Sequence, residues 1–429
     1  MNLPWDRLAP PTQDLAAVQR DLNGPAPTSG RIPDSVVILG AGLAGCWLAR
    51  LLAERGISVR LVEQRRKVAG GASGNPAGIV KPHVTRSPAP AMSFHVAAHS
   101  CLLEKLGSLA RDAGKAGTDT PDLTPCGVLQ LVNDGYPASP HYASLDNTQA
   151  TGIAGISLTG NALHFPDSGW LNPSALCRTL VSHPNIVLNT DHTVSGVYRL
   201  AGERNSRCWR VCVVGHHDIC ASNLVLACGS MLNRFEQTGF LPIIAARGQI
   251  SRFRVHAGSP VPRCVISGRH YVIPHGDTIL VGATFDRNVE DEAIRSLDHE
   301  RNLAGLRATL PSLQVHRRPL DGYAGVRATT PDRLPIVGPV PDRVQMDVVY
   351  ADLKHGKPLT HYPALPCVQG LYVLGGLGSR GIVTAPLAAK LLVELLMDRR
   401  SATWEKWGSL VNPARFHIRD IRRGIIRRS

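Results

Sequence analysis

Residues 36–63 read VVILGAGLAGCWLARLLAERGISVRLVE. The apolar run Val36 to Leu39 predicts a buried parallel strand. Gly40, Gly42 and Gly45 follow at once in the spacing GxGxxG and open an apolar helix reaching about Arg55, which Gly56 can end. Val59 to Val62 predicts a second strand that finishes in Glu63. Together these make a βαβ unit of the kind that holds a dinucleotide. Gly40 allows the tight turn, Gly42 lets backbone approach a pyrophosphate, and Gly45 lets helix and strand pack closely. The first helical turn, with Leu43 and Ala44, points unpaired N–H groups and a positive dipole end at the phosphates. Glu63, with Gln64 beside it, can accept hydrogen bonds from an adenosine ribose.

The rest of the chain fits a globular protein of more than one core. It has 429 residues, 43% of them hydrophobic, enough for two domains. No apolar run approaches the roughly 20 residues that span a bilayer. The start, MNLPWDRLAPPTQD, lacks a signal-peptide pattern. The ten cysteines show no regular spacing, which suits reduced thiols and a cytoplasmic location. Cys208, Cys212 and Cys220 bracket His216 and His217. On a strand, however, Cys208 and Cys212 lie about 13 Å apart, too far to share one tetrahedral ion, so no metal is expected. Formal net charge is +14, a statement about partners rather than fold.

Residues 1–33 read as an extension with a short helix around Leu15 to Leu22 and a Pro/Gly-rich linker. A first nucleotide-binding segment covers 34–91. It includes a glycine-dense loop, residues 64–86, whose Ala72, Ser73, Gly74, Asn75 and Gly78 suit close backbone approach to a flat ligand. Residues 92–160 begin with a helix over 92–111 and are assigned to a second domain. Residues 161–240 return to the nucleotide domain. There Asn172 is placed as a helix N-cap before Pro173, and Gly229 follows a buried strand. Residues 241–324 alternate with period 2 around a turn at His275 to Asp277, which predicts antiparallel sheet. Residues 325–410 go back to the nucleotide domain, and 411–429 form a basic tail. The expected fold is therefore α/β: a Rossmann-like domain plus a mostly antiparallel α+β substrate domain.

A second glycine-rich helix start lies in LYVLGGLGSRGIVTAPLAAKLLVELL, residues 371–396. Gly376, Leu377, Gly378, Ser379, Arg380 and Gly381 leave backbone bare at this N-terminus. An extended dinucleotide can use both turns, the first for pyrophosphate and the second for a ring that gains negative charge on reduction. Reduced flavin is such a ring, so the pair favours FAD over NAD. No complete second GxGxxG unit occurs mid-chain, which argues against a separate nicotinamide domain.

Beyond the fingerprint, GGASGNPAG, GWLNP, LACGS, RGQI, GVRATTPDRLPIVG and GGLGSRGIVTAPL carry a resemblance. Over about residues 34–420 the chain resembles FAD-dependent oxidoreductases of the D-amino-acid oxidase and glycine oxidase type. More closely, it resembles the C-terminal oxidoreductase domain of the bacterial tRNA-modifying MnmC proteins. In bifunctional members an S-adenosylmethionine-dependent methyltransferase domain precedes this one. Here about 33 residues precede the fingerprint, so methyl transfer is expected to fall to a separate protein. The resemblance implies noncovalent FAD and tRNA as substrate. It also implies oxidation of the carboxymethyl C–N bond of 5-carboxymethylaminomethyl(-2-thio)uridine at the wobble position. The products would be glyoxylate and 5-aminomethyl(-2-thio)uridine. It places Arg327 as the carboxylate anchor, because a planar guanidinium binds both oxygens, with Arg380 second. Tyr271 could cover the substrate. A structural ion pair of Arg327 with Asp332 is the competing assignment, and His83 reads as a structural histidine. Two other functions remain open: oxidation of a free small amino acid, and a flavin-bearing RNA-binding protein without turnover.

The tail reads separately. Ile418, Ile421 and Ile425 share one helical face, which predicts a docked helix. Arg415, Arg419, Arg422 and Arg423 would then project to solvent and contact RNA phosphates, with Arg427 and Arg428 beyond.

Overall fold

A computed structural model describes residues 33–425 except 88, 117–122, 134, 201–207, 357–361 and 400. The expected linker, the short helix near Leu15, and Arg427 and Arg428 lie outside the described residues. The βαβ unit forms as read: strand Ser35–Leu39, helix Leu43–Ala53, strand Ser58–Val62. These two strands sit inside a six-stranded sheet. Its order is Ile336–Pro341, Cys367–Gly375, Leu224–Leu226, Ser35–Leu39, Ser58–Val62, Ile186–Asn189. All neighbours run parallel except the edge strand Ile336–Pro341. Parallel strands need both faces covered. The apolar helices Leu43–Ala53 and Gly381–Leu396 pack with Pro90–Ala116 over one face, and a three-stranded sheet of Val194–Arg199, Trp209–Val213 and Ile219–Ala221 covers the other.

The second domain is a nine-stranded sheet built on the long strand Ile244–Arg254. That strand pairs antiparallel with Asp321–Thr329 over nine positions and with Thr278–Gly282. The hairpin partner Tyr271–His275 follows, then Val265–Ser267, Val128–Leu131, Ala162–Phe165 and Ala143–Leu145. One pair, Val265–Ser267 with Val128–Leu131, is parallel. Sheet membership departs from the expected segment boundaries in two places. Ala162–Phe165 pairs within this sheet, beyond residue 160, because its alternation buries Leu163 and Phe165 against the domain interface. Asp321–Thr329 is one unbroken strand, so Arg327 sits on the substrate domain's sheet. The expected helix over 92–111 is longer, Pro90–Ala116, and it belongs to the nucleotide domain and not the second one, because Phe94, Ala98, Leu102 and Leu106 bury in one cluster with helices Leu43–Ala53 and Gly381–Leu396. Asn172 caps helix Pro173–Val181 as expected, its Oδ1 accepting the Ala175 N–H at 3.0 Å.

The tail differs from its reading. Helix Arg415–Arg422 docks through Phe416 and Ile418, with Ile421 partly buried against Met346, Tyr350 and Leu353. Arg415 does not reach solvent. It is buried, donates to both carboxylate oxygens of Asp332 at 2.8 and 3.0 Å, and donates to the carbonyls of Val411, Asn412 and Leu334. The pair therefore locks the tail to the loop after Thr330, and Asp332 is not engaged with Arg327. Ile425 does not dock either: the helix ends at Arg422, Gly424 turns left-handed with φ +63°, and Ile425 is 47% exposed. Arg415→Ala is expected to destabilise the protein by about 3 kcal/mol, because it strands a largely buried carboxylate. A urea midpoint equal to wild type contradicts this.

Candidate active site

A cavity of about 840 Å³ runs between the two glycine turns and under the antiparallel sheet. At one end, Gly40 takes φ +101°, and a Cβ there would lie 2.6 Å from the Ala227 carbonyl oxygen. Helix Leu43–Ala53 has Gly42 as N-cap and no side-chain cap, so its N–H groups are open to an anion. Ser73 Oγ accepts the Leu43 N–H at 3.1 Å, and a Cβ on Gly42 would lie 3.1 Å from that hydroxyl. The Glu63 carboxylate accepts from Ala41 N at 2.8 Å and Arg65 N at 3.0 Å, which orients it at the cavity wall. Leu43, Ala44, Gln64, Ala72, Asn75, Gly78 and Gly229 also line the cavity.

Gly45 packs helix against strand as its place in the motif predicts, and one glycine expected at the cofactor, Gly74, serves packing instead. A Cβ on Gly45 would overlap the Gly40 carbonyl oxygen. One on Gly74 would overlap the Tyr323 hydroxyl, and neither residue lines the cavity. At the other end, helix Gly381–Leu396 also starts without a side-chain cap. Gly376 and Gly378 take positive φ there, and Leu377, Ser379, Arg380 and Gly381 line the wall. Two uncapped helix N-termini thus face one elongated cavity, with a carboxylate near the first. That matches the needs of a flavin dinucleotide.

The sheet supplies the roof over the second end. Arg327, Tyr271 and Arg380 are brought together there with Lys81, His83 and Ser267. Two glycines make room for the roof's side chains. A Cβ on Gly248 would overlap the Arg327 guanidinium, and a Cβ on Gly282 would lie 2.9 Å from the Tyr271 hydroxyl. Arg327 donates to Thr284 O at 3.4 Å and stands 5.9 Å from the Phe285 ring centre. Burial holds its pKa below the ordinary value, as it does for Arg380 beside Arg333; both remain cations at neutral pH. Arg380 lies 3.1 Å from His83 Nδ1. Burial first, then Arg380, pushes His83 down to about 2, so its imidazole is neutral. Burial raises the Tyr271 pKa, and the phenol stays protonated. Among the described residues, no carboxylate pairs with Arg327, Arg380 or Lys81. Two guanidinium cations, Arg327 and Arg380, facing one cavity without a carboxylate partner among the described residues call for an anionic ligand.

Sequence reading missed Lys81, Ser267 and the cavity segment His192–Ser195. Lys81 lies within the glycine-dense loop but carries no motif of its own. Ser267 and His192–Ser195 arrive through tertiary packing alone.

A family model described as FAD dependent oxidoreductase matches residues 35–395. The chain belongs to that family. It is an oxidoreductase whose cofactor is FAD, in agreement with the two helix starts. The chain is 34% identical over 409 residues to the tRNA 5-methylaminomethyl-2-thiouridine biosynthesis bifunctional protein MnmC of Chromobacterium violaceum, covering 90% of this chain and 60% of that protein. It is 33% identical over 421 residues to the protein of that name from Pseudomonas paraeruginosa, covering 93% and 62%. The chain therefore spans about 60% of the length of these relatives. Among solved structures, glycine oxidase from Geobacillus kaustophilus superposes with a TM-score of 0.67 at 19% identity, covering 86% of this chain and 95% of that one. L-proline dehydrogenase from P. horikoshii gives 0.65 at 16%, covering 94% and 100%. These two structures share the fold of this chain. Among the described residues, no group of His, Cys, Asp and Glu is placed to hold a metal, and no helix is long and apolar enough to cross a membrane.

Proposed function

We propose that this FAD-dependent oxidoreductase acts on the CH–NH bond of a tRNA wobble nucleoside. It would remove the carboxymethyl group of 5-carboxymethylaminomethyl(-2-thio)uridine as glyoxylate and leave 5-aminomethyl(-2-thio)uridine. The observation that carries the reading is the pair of guanidiniums, Arg327 and Arg380, which line the cavity without a carboxylate partner among the described residues. They suit a substrate with a carboxylate on one side of its amine. The names of the relatives supply the nucleoside.

Bound flavin supplies the two-electron acceptor for the amine C–H bond. The chain supplies position and charge. Arg327 grips the carboxylate with its planar fork, and Tyr271 donates its phenolic hydrogen from a strand farther along the same sheet. The N-terminus of helix Gly381–Leu396, which has no side-chain cap, stabilises negative charge at that end. Water then adds to the oxidised C=N carbon, and cleavage of the C–N bond frees glyoxylate. FAD is held without a covalent link. The GLGSRG turn has no cysteine, and the cavity thiol of Cys228 donates to Leu39 O and is pushed up to about 12 by burial. A methyltransferase acting on the product would be a separate partner.

The tail would help hold the RNA. Arg423 is exposed, while Arg419 and Arg422 are partly so; Arg419 lies 3.3 Å from Asp420 and 5.5 Å from the Phe416 ring centre. Changing Arg419, Arg422 and Arg423 to Ala should weaken tRNA binding and flatten the log-affinity against log-salt slope by about two units. Wild-type affinity and slope in the triple variant would put the RNA surface elsewhere.

The function itself is tested by nucleoside mass spectrometry of tRNA from a deletion strain. Accumulation of the carboxymethylaminomethyl nucleoside supports it. Unchanged wobble nucleosides overturn it and favour a free amino acid as substrate.

A further inference from the structure

Amine oxidation needs a substrate nitrogen with a free electron pair, yet a secondary amine beside a carboxylate is mostly protonated at neutral pH. A base at the roofed end can take that proton and make the neutral amine available in place. We infer that Lys81 is this base: its neutral amine accepts the proton from the substrate nitrogen before the C–H bond breaks. This rests on the amine-oxidation reading above.

Sheet register places Lys81 at the roof. Gln130 pairs with Ser267, and Ser267 pairs with Tyr271, so the three side chains share one face in a row, about 5 Å per step. Lys81 Nζ donates to Gln130 Oε1 at 2.7 Å, which fixes it at the end of this row, and Lys81, Ser267 and Tyr271 all line the cavity. Its other acceptor is the Pro82 carbonyl oxygen at 3.3 Å. A neutral amine has two N–H bonds and one lone pair. Two neutral acceptors take the two N–H bonds, which leaves the lone pair for a proton.

The surroundings also oppose a permanent charge on Lys81. Burial, then the Arg380 guanidinium, lowers its pKa to about 7. The Phe165 ring, 5.2 Å away, favours the cation weakly. The other groups facing this end cannot do the work near pH 7. Burial leads the lowering of His83 to about 2, His95 to about 3 and His99 to about 4. Tyr271 keeps its proton, and Arg327 and Arg380 cannot release theirs.

The step balances. The substrate N–H bond breaks, its electron pair stays on nitrogen, and Lys81 becomes an ammonium. Two electrons and the Cα hydrogen leave for the cofactor, water adds to the resulting C=N carbon, and Lys81 later returns its proton to solvent.

Two measurements test this. In the first, anaerobic flavin bleaching by undermodified tRNA is followed against pH for wild type, Lys81→Met and Lys81→Arg, with FAD content checked for each. Wild type should rise to a break near pH 7 and level off. Lys81→Met should be about a hundredfold slower at pH 7 and climb tenfold per pH unit, without that break, until the substrate's own amine deprotonates. Lys81→Arg should do the same, because arginine keeps charge but cannot accept a proton. Wild-type rates in either variant, or a retained break, overturn the inference. The second measurement needs no turnover. Trace acetylation of the holoenzyme, read on the Lys81 peptide by mass spectrometry, should give a midpoint near pH 7. A midpoint above 9, or no labelling below 9, overturns it. If tRNA fails to bleach wild type, the substrate reading fails, and the labelling midpoint still reports on Lys81.

Discussion

Arg327→Ala is expected to purify yellow, with its FAD, and to lose substrate oxidation by ten- to a hundredfold or more. The guanidinium lies in the space that Gly248 leaves open and borders the cavity beside Tyr271. Among the described residues its one acceptor is a long contact to Thr284 O, which leaves donors for a carboxylate. Losing a charge-assisted two-point contact costs about 1.5–3 kcal/mol. Arg327→Lys should recover part of the rate, since lysine keeps charge without the fork. The structure removes the competing role: Asp332, which could have claimed Arg327, is bound on both oxygens by Arg415. Stopped-flow reduction with substrate, alongside the flavin absorbance of the free enzyme, checks both halves. Normal reduction by Arg327→Ala would move the anchor to Arg380.

Gly42→Leu is expected to yield folded, colourless protein. Gly42 caps a helix whose N–H groups open on the cavity, and even a Cβ there would already press on Ser73 Oγ at 3.1 Å. A larger side chain occupies the space where a pyrophosphate must meet backbone. Acid denaturation of wild type should release free FAD, whereas the variant should release little. A yellow Gly42→Leu with stoichiometric FAD would mean that the phosphates bind elsewhere.

Much of this was legible before any coordinates, for local reasons. Strand, glycine turn, helix and acid in residues 36–63 specify a βαβ unit by spacing alone. The period-2 run over 247–285 specifies antiparallel sheet. What could not be read depends on contacts between distant segments. Gly74 looks like a ligand-facing glycine in sequence, but the Tyr323 hydroxyl fills the space beside it. Arg415 reads as one more cation of a basic tail, and only its partner Asp332, 83 residues away, shows it to be buried. Lys81 reads as a loop lysine until Gln130, Arg380 and Phe165 close around it.

The central claim is that the cavity oxidises a carboxymethylamine carried on tRNA. Anaerobic mixing of the holoenzyme with undermodified tRNA tests it most directly. Flavin absorbance should bleach, with one glyoxylate and one 5-aminomethyl nucleoside formed per flavin reduced, while free glycine and sarcosine leave the flavin oxidised. Bleaching by glycine or sarcosine but not by tRNA would contradict the account.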